Sequence, residues 1–494
     1  MRLLSSLFAA GTLLLSAAFA AQPNIVFILA DDLGWRDLHC YGSPWYDTPN
    51  LDRLASQGTR FTAGYAAAPI CSASRAALLT GRSPARLGFE FVVKDPGSKP
   101  PPRQLLSPPP YPEHLPLEEV TLAEVLGPAG YATGYFGKWH LNQHFGSYLQ
   151  WSDTLGPLQQ GYAEGDKAFG SHPYGDAERP PGEKGDLPKG DYGRDDLTEK
   201  AVAFLRAHRD GPFYLHVAHY YVHEPVRTRA KWLAEKYAAR LPAGADPKRA
   251  AYAAMVETLD HLVGELLRTL DELKLTENTL VIFTSDNGGT PLYSAHGPLR
   301  GSKWNLYEGG VRVPWIVRWP GHVPAGATND TPFIGTDLLP TLAAAGRAKL
   351  PRGVALDGEN VLEVWQGQGP GPSNRALTWH FPYYHPEVRF DAALPKIGID
   401  DFALSQTRPQ SAIRVGDWTL VHFYEHDRDE LYQLSTDPSQ QHDLAAAQPV
   451  KARELRKRLD ESLQDAGARI PTPSSKEPAM ELPPGKSKKN QSQG

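Results

Sequence analysis

Apolar and polar positions along this chain fall into blocks. Asn24–Ala30 (NIVFILA) is an apolar, β-branched run that stops at Asp31-Asp32-Leu33-Gly34. Such a run, without alternation, predicts a strand buried on both faces whose C-terminal edge carries two carboxylates. Thr279–Ser285 (TLVIFTS) repeats the design and stops at Asp286-Asn287-Gly288-Gly289. Phe213–Ala218 and residues 313–319 are further strand candidates, and helical patterns at 50–57, 74–80, Leu122–Leu126, 195–208, 249–273 and 337–345 lie between the runs. Strands alternating with helices predict an α/β fold, with a large, mostly parallel central sheet flanked by helices. Ligands of such sheets sit beyond the carboxyl ends of the strands, where both acidic clusters fall.

Beyond about residue 370 the pattern changes. Ala376–Phe381 and residues 411–415, 418–424 and 430–434 are short strand-like pieces, followed by a helical pattern at 450–466. They predict a smaller C-terminal α+β domain with an antiparallel sheet. The expected organisation is a signal peptide over 1–20, an α/β domain over 21–370, the small domain over 371–470 and a disordered tail over 471–494. Segments 94–116 and 162–194, rich in Pro, Gly and charge, are expected to be long surface loops.

The N-terminus carries its own signal. Arg2 precedes a mostly apolar stretch over 3–19, and Ala18-Phe19-Ala20 supplies small residues for cleavage. Ser5, Ser6 and Ser16 interrupt a stretch already shorter than the ~20 apolar residues of a membrane span. No Cys stands at the cleavage point to carry a lipid. The reading is an exported protein, periplasmic or extracellular, with no membrane anchor.

Composition narrows the class. The 494 residues are 41% apolar and 22% charged, which describes a large globular protein. A net charge of −5 lacks the basic excess of a nucleic-acid partner. Two cysteines, Cys40 and Cys71, cannot build a disulfide framework.

Four residues suggest a cation. Asp31, Asp32, Asp286 and Asn287 all offer oxygen at strand ends, a donor set that suits Ca²⁺ or Mg²⁺ better than zinc. The bland alternative is that Asp-Asp and Asp-Asn-Gly are caps and turns. Cys71, before Ser72-Ala73-Ser74-Arg75, begins a helical pattern, so a dipole-activated thiolate and an inert buried thiol are both open. His140 with His144, and His219 with His223, have the four-residue spacing of zinc ligands on a helix, although neither pair forms a His-Glu-x-x-His motif. Trp379, His380, Tyr383, Tyr384 and His385 cluster as either a packed sheet face or a sugar-pocket wall; His380, Tyr383 and His385 are the substrate-binding candidates.

Cys71-x-Ala73-x-Arg75 followed by Leu79-Thr80-Gly81-Arg82 resembles the motif of the formylglycine-dependent sulfatases, the type I, arylsulfatase-like branch of the alkaline phosphatase superfamily. The commonest family form has Pro where this chain has Ala73. Residues 24–34 resemble the family's opening strand with its metal-binding aspartates, and residues 48–58 (TPNLDRLASQG) the helix after it. Gly137-Lys138-Trp139-His140 and Val222-His223-Glu224-Pro225 resemble two catalytic blocks. Residues 285–289 resemble the end of the metal site, and residues 299–314 the segment with a sulfate-contacting lysine, here Lys303. Residues 411–420 and 430–437 resemble the closing sheet.

The resemblance implies a sulfuric ester hydrolase. It implies a maturase that converts Cys71 to formylglycine before folding, and a metal, Ca²⁺ ahead of Mg²⁺, at Asp31, Asp32, Asp286 and Asn287. In the implied mechanism one hydroxyl of the hydrated aldehyde attacks sulfur, oriented by Arg75, while Lys138 and Lys303 neutralise the sulfate. His223 or Lys303 protonates the leaving alcohol, and His140 takes the proton whose loss expels sulfate. Ser147 and Ser152 are candidates for one further polar contact. The implied substrate is a sulfated glycan, with 89–116 and 162–194 as specificity loops. Two rivals are a phosphonate or phosphodiester hydrolase using the same aldehyde, and a catalytically silent glycan-binding relative.

Overall fold

The computed structural model describes residues 22–94, 105–144, 149–166, 185–295, 297–369, 371, 374–385 and 407–474. The expected signal peptide, residues 475–494 of the expected tail, Ser147, and the middles of both long segments lie outside the described residues.

Eight strands form the central sheet. They are β1 (Asn24–Ala30), β2 (Thr59–Phe61), β3 (Ala132–Gly137), β4 (Glu164–Asp166), β5 (Phe213–Ala218), β6 (Thr279–Ser285), β7 (Trp315–Arg318) and β8 (Ala327–Asn329). Their spatial order is β8-β2-β7-β6-β1-β5-β3-β4. All pairings are parallel except those of β7 with β6 and β2. Every residue of β1, β5 and β6 is buried, the reason these runs read as continuously apolar. The principal covering helices are α1 (Pro49–Ser56), α2 (Cys71–Thr80), α3 (Asp196–Ala207), α4 (Pro247–Glu272) and α5 (Leu338–Ala345).

The C-terminal sheet is antiparallel, in the order β9 (Ala376–Phe381), β10 (Gln410–Val415), β11 (Trp418–Phe423), β12 (Arg428–Gln433). One face packs on α6 (Pro449–Asp465) through Ile413, Leu420, Leu431, Leu455 and Leu459. The other shares a core with Ile70, Ala73 and Ala77 at the start of α2, through Leu377, Trp379, Phe381 and Val421. The small sheet therefore backs the helix that begins at Cys71. Among the described residues no helix is long and apolar enough to cross a membrane.

Candidate active site

Strand register builds the site. Ala30 pairs with Ser285, so the next residues, Asp31 and Asp286, emerge side by side. Gly137 pairs with Ala218, so Lys138 and the segment His219–His223 leave the same edge. Gly137 has φ +116°, and a Cβ there would lie 1.9 Å from the Ala218 carbonyl oxygen, so glycine is required. Helix α2 brings Cys71 and Arg75 to this edge and is buried along its whole length. Lys303 arrives on a loop fixed by its own N–H, which donates to Gly289 O at 3.0 Å.

The groups interlock by charge. Lys138 Nζ lies 2.6 Å from Asp31 Oδ2, and Lys303 Nζ lies 2.7 Å from Asp32 Oδ2. Arg75 grips Asp286 Oδ2 through Nε and Nη2, both at 2.8 Å, and donates to Lys138 O at 2.6 Å. Cys71 Sγ sits 3.4 Å from Asp31 Oδ1 and 3.7 Å from Asp32 Oδ1. His223 Nε2 is 3.5 Å from Asp32 Oδ2.

Burial opposes ionisation of Asp32, but Lys303, His223 and Lys138 overcome it and hold the carboxyl well below the usual range. Burial, Asp31 and Asp32 instead push Asp286 up, against the pull of Arg75 and Lys138. Burial works against charge on both lysines, yet Asp31 raises Lys138 and Asp32 raises Lys303, so both remain ammonium ions. Burial, with Lys138 and Arg75, drives His140 well below its ordinary value, and burial with Lys303 brings His223 down to about 3. Both imidazoles are neutral at pH 7. His223 Nδ1 is 2.6 Å from Glu224 O, and a carbonyl only accepts, so Nδ1 carries the proton and Nε2 the lone pair.

Burial, Asp286 and Asp31 push the Cys71 thiol well up. The thiolate reading of the helix start thus gives way to a protonated thiol, because burial, with Asp286 and Asp31 beside it, disfavours the thiolate more than Lys138 and Lys303 favour it.

The donor chemistry fits a hard cation. Asp31, Asp32, Cys71 and His223 bring one ligand atom each within 4.8 Å of one another. Asn287 donates through Nδ2 to Asp32 Oδ1 at 2.7 Å, while its Oδ1 is buried without a hydrogen-bond partner among the described residues. A buried orphan acceptor beside carboxylates is what an oxygen-seeking ion would satisfy. Asp286 stands outside the tightest cluster of acidic, thiol and imidazole groups, with its Oδ2 held by Arg75. The zinc pairs do not converge: His140, His144 and His219 are absent from the cluster, and His219 Nδ1 faces Asp195 Oδ2 at 3.5 Å.

A cleft of ≈ 210 Å³ opens onto part of this cluster, with Asp31, Arg75, Lys138, Asp286 and Asn287 outside its lining. Its lining includes Asp32, Cys71, His140, His223 and Lys303, and adds Trp304, Thr290 and Glu224, which sequence reasoning did not single out for chemistry. Of the three substrate-binding candidates only His385 lines it. His380 instead lies between Ser411 Oγ (2.7 Å) and Arg469 O (3.2 Å), and Tyr383 packs against Phe91 and donates to Pro110 O. In β9, Trp379 and Phe381 take the core side, so alternation turns His380 away. Ser152 is held by Thr154 at 2.9 Å and does not line the cleft.

The family described as "Sulfatase" matches residues 23–347, and "N-sulphoglucosamine sulphohydrolase, C-terminal" matches residues 301–469. The chain belongs to the sulfatase family. It is a sulfuric ester hydrolase of the alkaline phosphatase superfamily. This sulfatase is 35% identical to human arylsulfatase A, over 86% of its own chain and 84% of that protein. It is 36% identical to N-acetylgalactosamine-6-sulfatase of Canis lupus familiaris, over 74% and 70%. Among solved structures it resembles Ps i-CgsB in complex with k-i-k-neocarrahexaose, with a TM-score of 0.72, 27% identity, and coverage of 90% and 93%.

Proposed function

We propose that this sulfatase is an exported, formylglycine-dependent enzyme that removes sulfate from carbohydrate esters, with Cys71 as the modified residue and Ca²⁺ at Asp31, Asp32, Asp286 and Asn287. The carrying observation is the position of Cys71 Sγ, 3.4 Å from Asp31, in a cleft shared with Lys303. The carbohydrate preference rests on two relatives, one named an N-acetylgalactosamine-6-sulfatase and one solved with a neocarrahexaose.

When present, the ion adds positive charge at the sulfuryl oxygens and formylglycine adds a carbon-borne hydroxyl nucleophile. The chain's own residues do the rest. Lys138 and Lys303 place two fixed ammonium charges where sulfate gathers negative charge, in a site shielded from water. Arg75, held by Asp286, fixes the first turn of α2 and with it position 71. His140 is neutral, and its buried Nδ1 has no hydrogen-bond partner among the described residues, so it suits the base that takes the proton preceding sulfate release. Lys303 is the proton-bearing group for the leaving oxygen, since His223 has its N–H committed to Glu224 O.

The test is turnover by protein matured with a formylglycine-generating enzyme and supplied with Ca²⁺. Cleavage of 4-nitrophenyl sulfate in preference to bis(4-nitrophenyl) phosphate and phenylphosphonate esters is expected. Dominant phosphodiesterase or phosphonate hydrolysis would overturn the assignment. Glycan binding without turnover, despite aldehyde and metal, would favour a silent relative.

A further inference from the structure

Three non-glycine residues of the cleft have left-handed backbones: Asp32 (φ +60°), His140 (φ +57°) and Trp304 (φ +82°). Asp32 and His140 have the chemistry described above. Trp304 has no such role, yet a bulky side chain at positive φ is the costliest of the three. The surrounding structure holds it there. Its N–H donates to Pro69 O at 2.9 Å, two residues before Cys71. Its ring meets His385 edge to face at 4.6 Å between centroids, with Phe91 at 5.8 Å on the apolar side. Lys303 Nζ stands 5.7 Å from its centroid.

An aromatic ring is therefore held in strained backbone beside an ammonium group that faces the reacting sulfate. We infer that Trp304, backed by His385, is a specificity-determining platform that stacks on the ring bearing the sulfate ester, so that the enzyme selects six-membered-ring alcohols over ringless ones. The inference rests on the carbohydrate sulfatase reading and deepens it. Lys303 receives the charged end of the substrate, and the adjacent indole receives the flat apolar face of the ring. Glycine would suit φ +82° better, so backbone comfort does not explain a tryptophan here.

The test uses the matured, Ca²⁺-loaded enzyme and two variants, Trp304→Gly and Trp304→Phe. Gly removes the ring while relieving the backbone, and Phe keeps a smaller ring; thermal melting checks that each folds. Two probes separate ring recognition from sulfate recognition: KM for N-acetylgalactosamine 6-sulfate, and the inhibition constant of inorganic sulfate against 4-nitrophenyl sulfate. Trp304→Gly is expected to raise KM about tenfold, with little change in inhibition by sulfate, and Trp304→Phe to recover most of the loss. Unchanged KM in both variants overturns the inference. So does a parallel rise in the sulfate inhibition constant, which would mean that Trp304 merely props Lys303. If Trp304→Gly does not fold, Trp304→Phe decides: a KM no higher than wild type contradicts a platform in which ring area counts, and a several-fold rise supports it. A wild-type enzyme that turns over no sulfate ester overturns the underlying activity reading instead, a result distinct from the others.

Discussion

At Lys303 a single ammonium group serves two neighbours. It neutralises Asp32 at 2.7 Å and, on the proposed mechanism, faces the sulfuryl group and the leaving oxygen. Its charge is secure because burial, the largest single influence, is outweighed by the acidic groups around it taken together, Asp32 foremost and Asp31 with it. Lys303→Ala should therefore lower kcat/KM for 4-nitrophenyl sulfate by about 10²–10³, the usual loss when a preorganised charge-stabilising group is removed. Lys303→Arg should not restore the rate, since a planar guanidinium cannot replace a compact ammonium in a closed site. Near-wild-type kinetics in Lys303→Ala would remove the residue from the mechanism. The sequence made Lys303 legible only through its motif; as a lone lysine it would pass for a surface residue. Trp304, next to it, was not legible, because a positive φ leaves no mark in composition or periodicity.

Between elements, helix α4 organises the start of the chain from behind the site. Helix α1 has no side-chain cap of its own, and Asp260 on α4 supplies one, accepting from Asn50 N at 3.1 Å, Asn50 Nδ2 at 2.8 Å and Leu51 N at 2.8 Å. Asp37 ties the two acidic loops in the same way, accepting from Gly34 N, Ala295 N and the Tyr252 hydroxyl of α4 at 2.6–2.7 Å. Burial outweighs these bonds and pushes the Asp260 carboxyl from 3.8 up to about 6. The native state then binds more protons than the unfolded state between about pH 4 and pH 6, so the Asp260 contribution grows as pH falls through that window and is lost as pH rises through 6. The full span is worth ~3 kcal/mol. Melting wild type and Asp260→Asn side by side should show wild type gaining on the variant between pH 7 and pH 4.5; parallel curves would contradict it. The pattern of the chain announced α4 as a helix at 249–273 against the observed Pro247–Glu272, but not Asp260's use, which depends on a residue 210 positions away.

Across the whole molecule, the strongest signals came from β1 and β6, where burial on both faces leaves an unbroken apolar run and polar residues are confined to the end. The short strands β2, β4 and β8 carry too few residues for such a pattern. The aromatic-histidine cluster was ambiguous for a related reason: alternation says that Trp379 and His380 face opposite ways without saying which way is the core. The C-terminal sheet settles that by closing over α2 and sharing its core. That closure bears on the chemistry of position 71. Cys71 is 1% exposed and every residue of α2 is buried, so on the proposed mechanism the modifying enzyme would have to act before the fold closes. The decisive measurement is mass spectrometry of the tryptic peptide 61–75, from protein produced beside a formylglycine-generating enzyme and from protein folded first and exposed to it afterwards. The account predicts an aldehyde at position 71 in the first sample and a retained thiol in the second. An intact thiol in the first, with the maturase demonstrably active on a control chain, would contradict it.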